Sequence, residues 1–184
     1  MSILAFVDKV EKERIINPKD ISYIGIFFDK QMISDLAIFG ERLDKIIENP
    51  HITLAFNPTP DKLKQLSDFM NGHPNSDITA NITRYGNDGK NEGFYVESIT
   101  CNDSSDVPYF GAEQKHITIS VSKKSSPVKT RFMNFDQPVN PMQIGGKIGI
   151  FMNDKTIKYS PISIENEIKP NTKETEHENR DDGR

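Results

Sequence analysis

The first half of the chain alternates between hydrophobic patterns typical of strands and of helices. Residues 21–28 (ISYIGIFF) form a β-branched and aromatic run that predicts a buried strand. Residues 29–49 place apolar side chains at close to a helical period, between an aspartate that can cap a helix and an Asn-Pro pair that can end it. The Thr-Pro start and Asn-Gly stop of 59–72 predict a second helix. An amphipathic segment over 3–16 is a further candidate helix.

The second half is dominated by strand patterns. HITLAF (51–56) predicts a strand between the two long helices. Residues 76–101 read as two strands joined by a polar, glycine-containing loop, residues 115–122 as another strand, and residues 145–162 as a closing hairpin. Helices therefore lie mainly in the first half and strands in the second, an order that predicts an α+β domain with a mostly antiparallel sheet.

Two of the predicted strands open with nearly the same tetrapeptide, HITL from His51 and HITI from His116. Side chains alternate between the faces of a strand, so His51 and Thr53 point to one face, as do His116 and Thr118. The intervening aliphatic side chains would then point into a core. Two imidazoles facing one pocket can serve as base and acid, and two hydroxyls beside them can donate hydrogen bonds to an oxyanion.

Length and composition indicate one soluble domain over 1–164, followed by a polar tail over 165–184 that we expect to be disordered. The apolar runs are much shorter than the roughly 20 residues of a membrane span, and the N-terminus lacks the pattern of a secretory signal. The single cysteine, Cys101, allows no intrachain disulfide. These features favour a cytoplasmic protein without membrane association.

Charge narrows the choice of ligand. The chain carries a formal net charge of −4, and the segment 165–184 holds seven acidic and four basic side chains, which leaves the rest near −1. A nearly neutral domain does not favour a long nucleic-acid duplex as partner. A small anionic ligand, held by a few placed groups, fits better. The sequence leaves the oligomeric state open.

Three alternatives compete with acid–base chemistry. The two strands can be purely structural, although histidine occurs elsewhere only at His73 and His177. The histidines can bind zinc, but neither motif contains a cysteine or an aspartate. Glu48 and Glu113, three residues before each motif, read more simply as surface charges. A serine nucleophile lacks its Gly-x-Ser-x-Gly motif, and GGKIG does not match a phosphate-binding loop.

With its paired His-x-Thr motifs, the chain resembles the 2H phosphoesterase superfamily over roughly residues 20–160. The resemblance implies a bilobal α+β fold with helices on the outer faces and cleavage of phosphodiesters without metal or cofactor. Among its groups, the chain is similar to the cyclic phosphodiesterase domains of fungal-type tRNA ligases. It is also similar to phage nucleases that degrade the cyclic oligonucleotide signals of bacterial defence.

The resemblance also implies roles for the motif residues. One of His51 and His116 removes a proton from the attacking water or ribose hydroxyl, and the other protonates the leaving oxygen. Thr53 and Thr118 hold the non-bridging phosphate oxygens. Which histidine is the base stays open at this point.

Four further side chains are candidates for substrate binding. Tyr23, on the first strand, can stack on a base or donate its hydroxyl to phosphate. Tyr109, in the loop before the second motif, can stack likewise. Lys123 and Ser126 follow the second motif and can meet a phosphate.

Three functions remain. The first is a phosphodiesterase for a small cyclic or 2′–5′-linked oligonucleotide, such as a viral counter-defence nuclease; the short chain favours this one. The second is an enzyme that opens 2′,3′-cyclic phosphates at RNA ends. The third is a non-catalytic module that captures a nucleotide on the same face.

Overall fold

The computed structural model describes residues 15–36, 42–74 and 77–164. Most of the predicted amphipathic segment 3–16 and the whole polar tail 165–184 lie outside the described residues. At its described end, the N-terminal segment is extended, so a helix over 3–16 does not reach its last two residues. They form a short strand.

Strands dominate the described chain. In chain order they are β1 (Ile15–Ile16), β2 (Ile21–Phe28), β3 (Lys45–Ile46), β4 (His51–Phe56), β5 (Ile78–Asn87), β6 (Asn91–Cys101), β7 (His116–Val121), β8 (Gln137–Met152), β9 (Ile157–Tyr159) and β10 (Ser163–Ile164). The helices of the described residues are α1 (Lys30–Asp35), α2 (Pro60–Gly72) and two 3-10 helices, Pro18–Asp20 and Pro127–Phe132.

Eight of the strands form one antiparallel sheet. Seven lie in the order β3-β7-β6-β5-β8-β2-β4, and β9 pairs with β8. The remaining two, β1 and β10, pair in parallel as a separate ribbon. The predicted α+β fold with a mostly antiparallel sheet is therefore confirmed.

Alternation along the strands builds the core. The aliphatic side chains between each His and Thr, among them Ile52, Leu54 and Ile117, are almost fully buried. Burial of each such side chain contributes about 1.5–3 kcal/mol. Helix α2 adds its own apolar face through Leu63 and Leu66. The histidine and threonine of each motif therefore face away from the core, as the alternation predicts.

The predicted long helix over 29–49 is confirmed at Lys30–Asp35 and wrong at its end, where Lys45–Ile46 form a strand; residues 37–41 lie outside the described residues. Asp29 does cap α1, because its carboxylate accepts from the backbone N–H groups of Gln31 and Met32. However, residues 45–46 form β3 along the edge of β7, and Ile47 donates its N–H to Ile119 at 2.8 Å. A strand edge with unpaired backbone groups thus overrides the helical spacing of the apolar side chains.

Strand β8 is longer than the predicted closing hairpin, since it begins at Gln137 rather than near 145. Pro138 and Pro141 argue against a strand in sequence. The structure accommodates them because this part of β8 pairs only with β5, whereas β2 joins β8 from Gly146 onward. Proline lacks a backbone N–H, and here one edge of β8 has no neighbouring strand among the described residues to which an N–H would donate.

The sheet curves until distant strands meet. In the strand order, β4 lies at one end and β7 lies next to the other end, yet Cα atoms of the two strands come within 8 Å. The connection from β6 to β7 reinforces this approach, because Phe110 donates its N–H to the carbonyl of Leu54 at 2.8 Å. The two motif strands consequently form opposite walls of one cleft.

Candidate functional site

The cleft between β4 and β7 has a volume of about 850 Å³. The structure brings His51, Thr53, His116 and Thr118 together in its lining. Thr118 is buried, and the other three side chains are partly exposed. A cleft of this size suits a ligand of nucleotide dimensions or somewhat larger.

Both imidazoles are held in the same way. His51 Nδ1 lies 2.7 Å from the carbonyl of Asn49, and His116 Nδ1 lies 2.8 Å from the carbonyl of Gln114. A carbonyl only accepts, so Nδ1 carries the proton and donates it in each ring. The neutral imidazole then keeps its lone pair on Nε2. Each histidine therefore presents a proton acceptor when neutral and a proton donor when charged.

The threonines occupy matched positions as well. Thr53 pairs in register with Gly25 of β2, and Thr118 pairs with Gly93 of β6. A β-bulge lies beside each glycine, between Ile24 and Gly25 in β2 and immediately before Gly93 in β6. Each motif strand thus pairs with a strand that has a β-bulge next to the glycine opposite the motif threonine.

Close approach explains why both positions are glycine. A Cβ on Gly25 would lie 2.8 Å from the carbonyl oxygen of Ile52, and a Cβ on Gly93 would lie 2.5 Å from that of Ile117. Both distances are well inside van der Waals contact. Any side chain here would push β4 or β7 away from its neighbour, and the motif residues would move with the strand.

Burial sets the charge state of the histidines. It lowers the pKa of both His51 and His116 below the usual value, and the carbonyl bonds to Nδ1 oppose this only in part. The proximity of His116 lowers the pKa of His51 further, and Arg131 lowers that of His116. Because each charge disfavours the other, the pair favours one proton over two. When the pair holds a single proton, one imidazole is an acid and the other is a base.

Tyr23 lines the cleft, but its ring is already engaged. It stacks on His51 at a centroid distance of 4.6 Å and on Phe151 at 4.8 Å. These partners come from β4 and β8, the strands on either side of β2. Burial raises the pKa of the phenol, so it stays neutral. The contact orients the imidazole of His51, and it leaves less of the tyrosine ring for a base.

Tyr109 also lines the cleft and is likewise committed. Its hydroxyl donates to the carbonyl of Ala112, and the ammonium of Lys115 lies 4.9 Å from the ring centroid. Burial raises its pKa to about 12. Its hydroxyl therefore shapes the loop between β6 and β7 and is not free for a phosphate.

Lys123 and Ser126 are not among the residues that line the cleft. The backbone N–H of Lys123 donates to Asp44, and the carbonyl of Ser126 accepts from Asn91. The same connection instead sends Val128 and Arg131, on the second 3-10 helix, to the cleft. The chain after the second motif therefore contributes to the cleft through side chains other than Lys123 and Ser126.

Other residues of the lining carry no sequence signal. Lys45, Arg131 and Lys155 contribute positive charge, against the single carboxylate of Glu48. Phe56, at the end of β4, is 67% exposed. The cleft is thus locally positive although the chain is acidic overall.

Two further findings concern metals and membranes. Across residues 15–36, 42–74 and 77–164, no three His, Cys, Asp or Glu side chains cluster closely enough to hold a metal ion. Within the same ranges, no helix is long and apolar enough to cross a membrane.

Comparison with known proteins yields one distant structural likeness. No family model matches the chain, and no curated protein matches it. A crystal structure described as a fungal RNA kinase is similar at 16% sequence identity and a TM-score of 0.48. The match covers 71% of this chain and 45% of that one, so this chain spans less than half of the other protein. Membership of the 2H superfamily stays a hypothesis that rests on the paired motifs.

Proposed function

We propose that the protein is a phosphodiesterase that needs no metal and cleaves a small cyclic or 2′–5′-linked oligonucleotide with two His-x-Thr motifs. One observation carries the proposal: both imidazoles line one cleft, and each is held by a hydrogen bond from its Nδ1 to a backbone carbonyl. That bond leaves Nε2 of each ring for proton transfer. Purely structural strands would not need the same tautomer twice in one cleft.

The reaction follows from this arrangement. The Nε2 of one neutral histidine takes the proton of a water or ribose hydroxyl as its oxygen bonds to phosphorus. The Nε2 of the other, protonated histidine gives its proton to the leaving oxygen as the second P–O bond breaks. The hydroxyls of Thr53 and Thr118 donate to the non-bridging oxygens as negative charge builds there. The two histidines end with their protonation states exchanged.

Charge and shape support the choice of substrate. Three cations and one carboxylate line the cleft, which favours an anionic ligand. The exposed ring of Phe56 offers a face on which a base can stack. The volume of about 850 Å³ leaves room for more than the scissile phosphate and one ribose.

A substrate panel tests the proposal. The intact protein is incubated with nucleoside 2′,3′-cyclic phosphates, cyclic di- and trinucleotides and 2′–5′ oligoadenylate, with and without EDTA, and the products are analysed. We expect cleavage of a cyclic or 2′–5′-linked oligonucleotide that EDTA leaves unchanged. Turnover of the mononucleoside 2′,3′-cyclic phosphates alone would favour the RNA-end enzyme. Tight binding without turnover would favour the binding module.

Matched variants identify the site. His51→Ala and His116→Ala should each lose cleavage while keeping the far-ultraviolet circular dichroism spectrum. His73→Ala removes an imidazole outside the cleft, where His73 stacks on Phe69, and should keep the activity. Full activity in either cleft variant, or an absolute need for a metal ion, contradicts the proposal.

A further inference from the structure

The two lobes of the cleft differ in what surrounds their histidines. His51 lies among aromatic rings, including Tyr23 and Phe27. His116 instead has a cation nearby, because Arg131 lines the same cleft and lowers the pKa of that histidine by its charge. The backbone around the two motifs is similar, but Arg131 lies near only the second of them.

Within the part of the chain that the structure describes, no acidic side chain forms an ion pair with Arg131. The ion pairs found among the described residues are Arg42–Glu92, Lys64–Asp68 and His73–Asp103. The guanidinium of Arg131 lies instead 4.6 Å from the ring centroid of Phe132. Stacking on an aromatic ring orients the guanidinium and leaves its N–H donors available for an anion.

A buried network fixes the helix that carries Arg131. Asn91 is 2% exposed, and its Nδ2 donates to the carbonyl of Ser126 and to the hydroxyl of Thr130, each at 2.9 Å. The hydroxyl of Ser125 donates to Oδ1 of Asn91. Thr130, fully buried and adjacent to Arg131, therefore anchors the second 3-10 helix to the start of β6. Both Nδ2 and Oδ1 of Asn91 thus bind residues of the segment 125–130.

We propose that Arg131 binds the non-bridging oxygens of the scissile phosphate from the side of His116, and that Asn91 is the positioning residue that holds it there. This inference rests on the proposed phosphodiesterase function. Arg131 would add a bidentate, charged donor to the two threonine hydroxyls. The phosphate would then have a positive charge beside it on the side of His116 and aromatic rings on the side of His51.

Three variants test the role of Arg131 on the substrate that the panel selects. Arg131→Ala should lower kcat/KM by about 10²–10³-fold, as the loss of an oxyanion donor does. Arg131→Lys should recover part of the loss, because the charge remains and the bidentate geometry does not. Lys129→Ala removes a cation of the same helix that does not line the cleft and should match the wild type. Arg131→Ala within threefold of the wild type would overturn the inference.

A binding measurement separates this inference from the proposed function. Inorganic phosphate is titrated into each protein, and the imidazole signals of His116 are followed by NMR. Phosphate should shift these signals in the wild type and in Lys129→Ala, and the shift should be lost in Arg131→Ala. If no substrate is cleaved but this pattern holds, the phosphodiesterase proposal fails and the anion site stands. Equal phosphate binding in all three proteins would overturn the anion site itself.

The positioning role of Asn91 has its own readout. Besides His116, the charged and titratable side chains that line the cleft are Tyr23, Lys45, Glu48, His51, Tyr109, Arg131 and Lys155. Removing Arg131 should raise the pKa of His116 in an NMR titration, since its charge lowers that pKa. Asn91→Ala should raise the same pKa and add little to the activity loss of Arg131→Ala. Should Asn91→Ala not fold, Ser125→Ala loosens the same amide. An Asn91 or Ser125 variant that lowers stability but leaves the pKa of His116 unchanged contradicts the role.

Discussion

Gly93→Ala tests how closely the strands beside the second motif must approach. The new Cβ would lie 2.5 Å from the carbonyl oxygen of Ile117 and 3.2 Å from Cγ2 of Thr130. The shortest favourable carbon–oxygen contacts are roughly 3.3 Å, so β6 and β7 must separate by a large part of an ångström. Both neighbours are buried, which leaves them little room to move.

The magnitude follows from the overlap. Added atoms in a packed interior cost about 1–3 kcal/mol, and the smaller freedom of unfolded alanine offsets about 0.4–1 kcal/mol of that. For a chain of this length, a loss of 1 kcal/mol lowers Tm by about 2–4 °C. Since β7 carries His116 and Thr118, its displacement should also lower kcat, by up to about 10²-fold for a shift of 1 Å.

The assay pairs thermal unfolding by circular dichroism with cleavage kinetics. Gly145→Ala is the matched control, because a Cβ on this exposed glycine of β8 would meet nothing within 4 Å. We expect Gly145→Ala to keep the wild-type Tm and rate. Gly25→Ala, the counterpart beside β4, should behave like Gly93→Ala. A Gly93→Ala protein with unchanged Tm and kcat would refute the reasoning.

Three further predictions concern pH, the buried Glu92 and the exposed Phe56 of the cleft. Because the pKa values of His51 and His116 are lowered, kcat/KM should peak on the acid side of about pH 6.5, and a peak above pH 7 contradicts this. The free energy of unfolding should fall as the pH drops below about 6.5, because the histidines of the unfolded chain gain protons before those of the folded protein. Glu92→Gln removes a fully buried carboxylate that binds Arg42 and should cost about 3 kcal/mol in urea unfolding, whereas Glu97→Gln, exposed on the same strand, should cost under about 0.5 kcal/mol; equal losses would count against it. Phe56→Ala should raise KM by about 5–150-fold through lost stacking at unchanged Tm; an unchanged KM argues against a base there.

Sequence patterns predicted those elements whose own residues decide their structure. Strand β4 has the bounds given by HITLAF, and α2 begins at Pro60 as the Thr-Pro signal indicates. The pattern failed at the end of 29–49, where the apolar spacing suits a helix but residues 45–46 pair with the edge of β7 as a strand. It failed again at the start of β8, since only the sheet order shows that Pro138 lies where β8 has one partner.

The site divides in the same way. Alternation alone places His51 and Thr53 on one face, and the second motif repeats this geometry. It does not reveal Arg131, because that side chain reaches the cleft through a 3-10 helix anchored by Asn91, a contact between residues far apart in sequence. Lys123, which is nearer to the second motif in sequence, binds Asp44 through its backbone and stays outside the cleft.

The central claim is that the two histidines act as one acid–base pair. The most direct measurement compares kcat for the wild type, His51→Ala, His116→Ala and the double variant on the same phosphodiester, with EDTA present throughout. We predict that each single variant loses about 10²–10⁴-fold and that the double variant loses little more than the poorer single one, because the residues work as a unit. Either single variant at the wild-type rate, or losses that multiply in the double variant, would contradict the account.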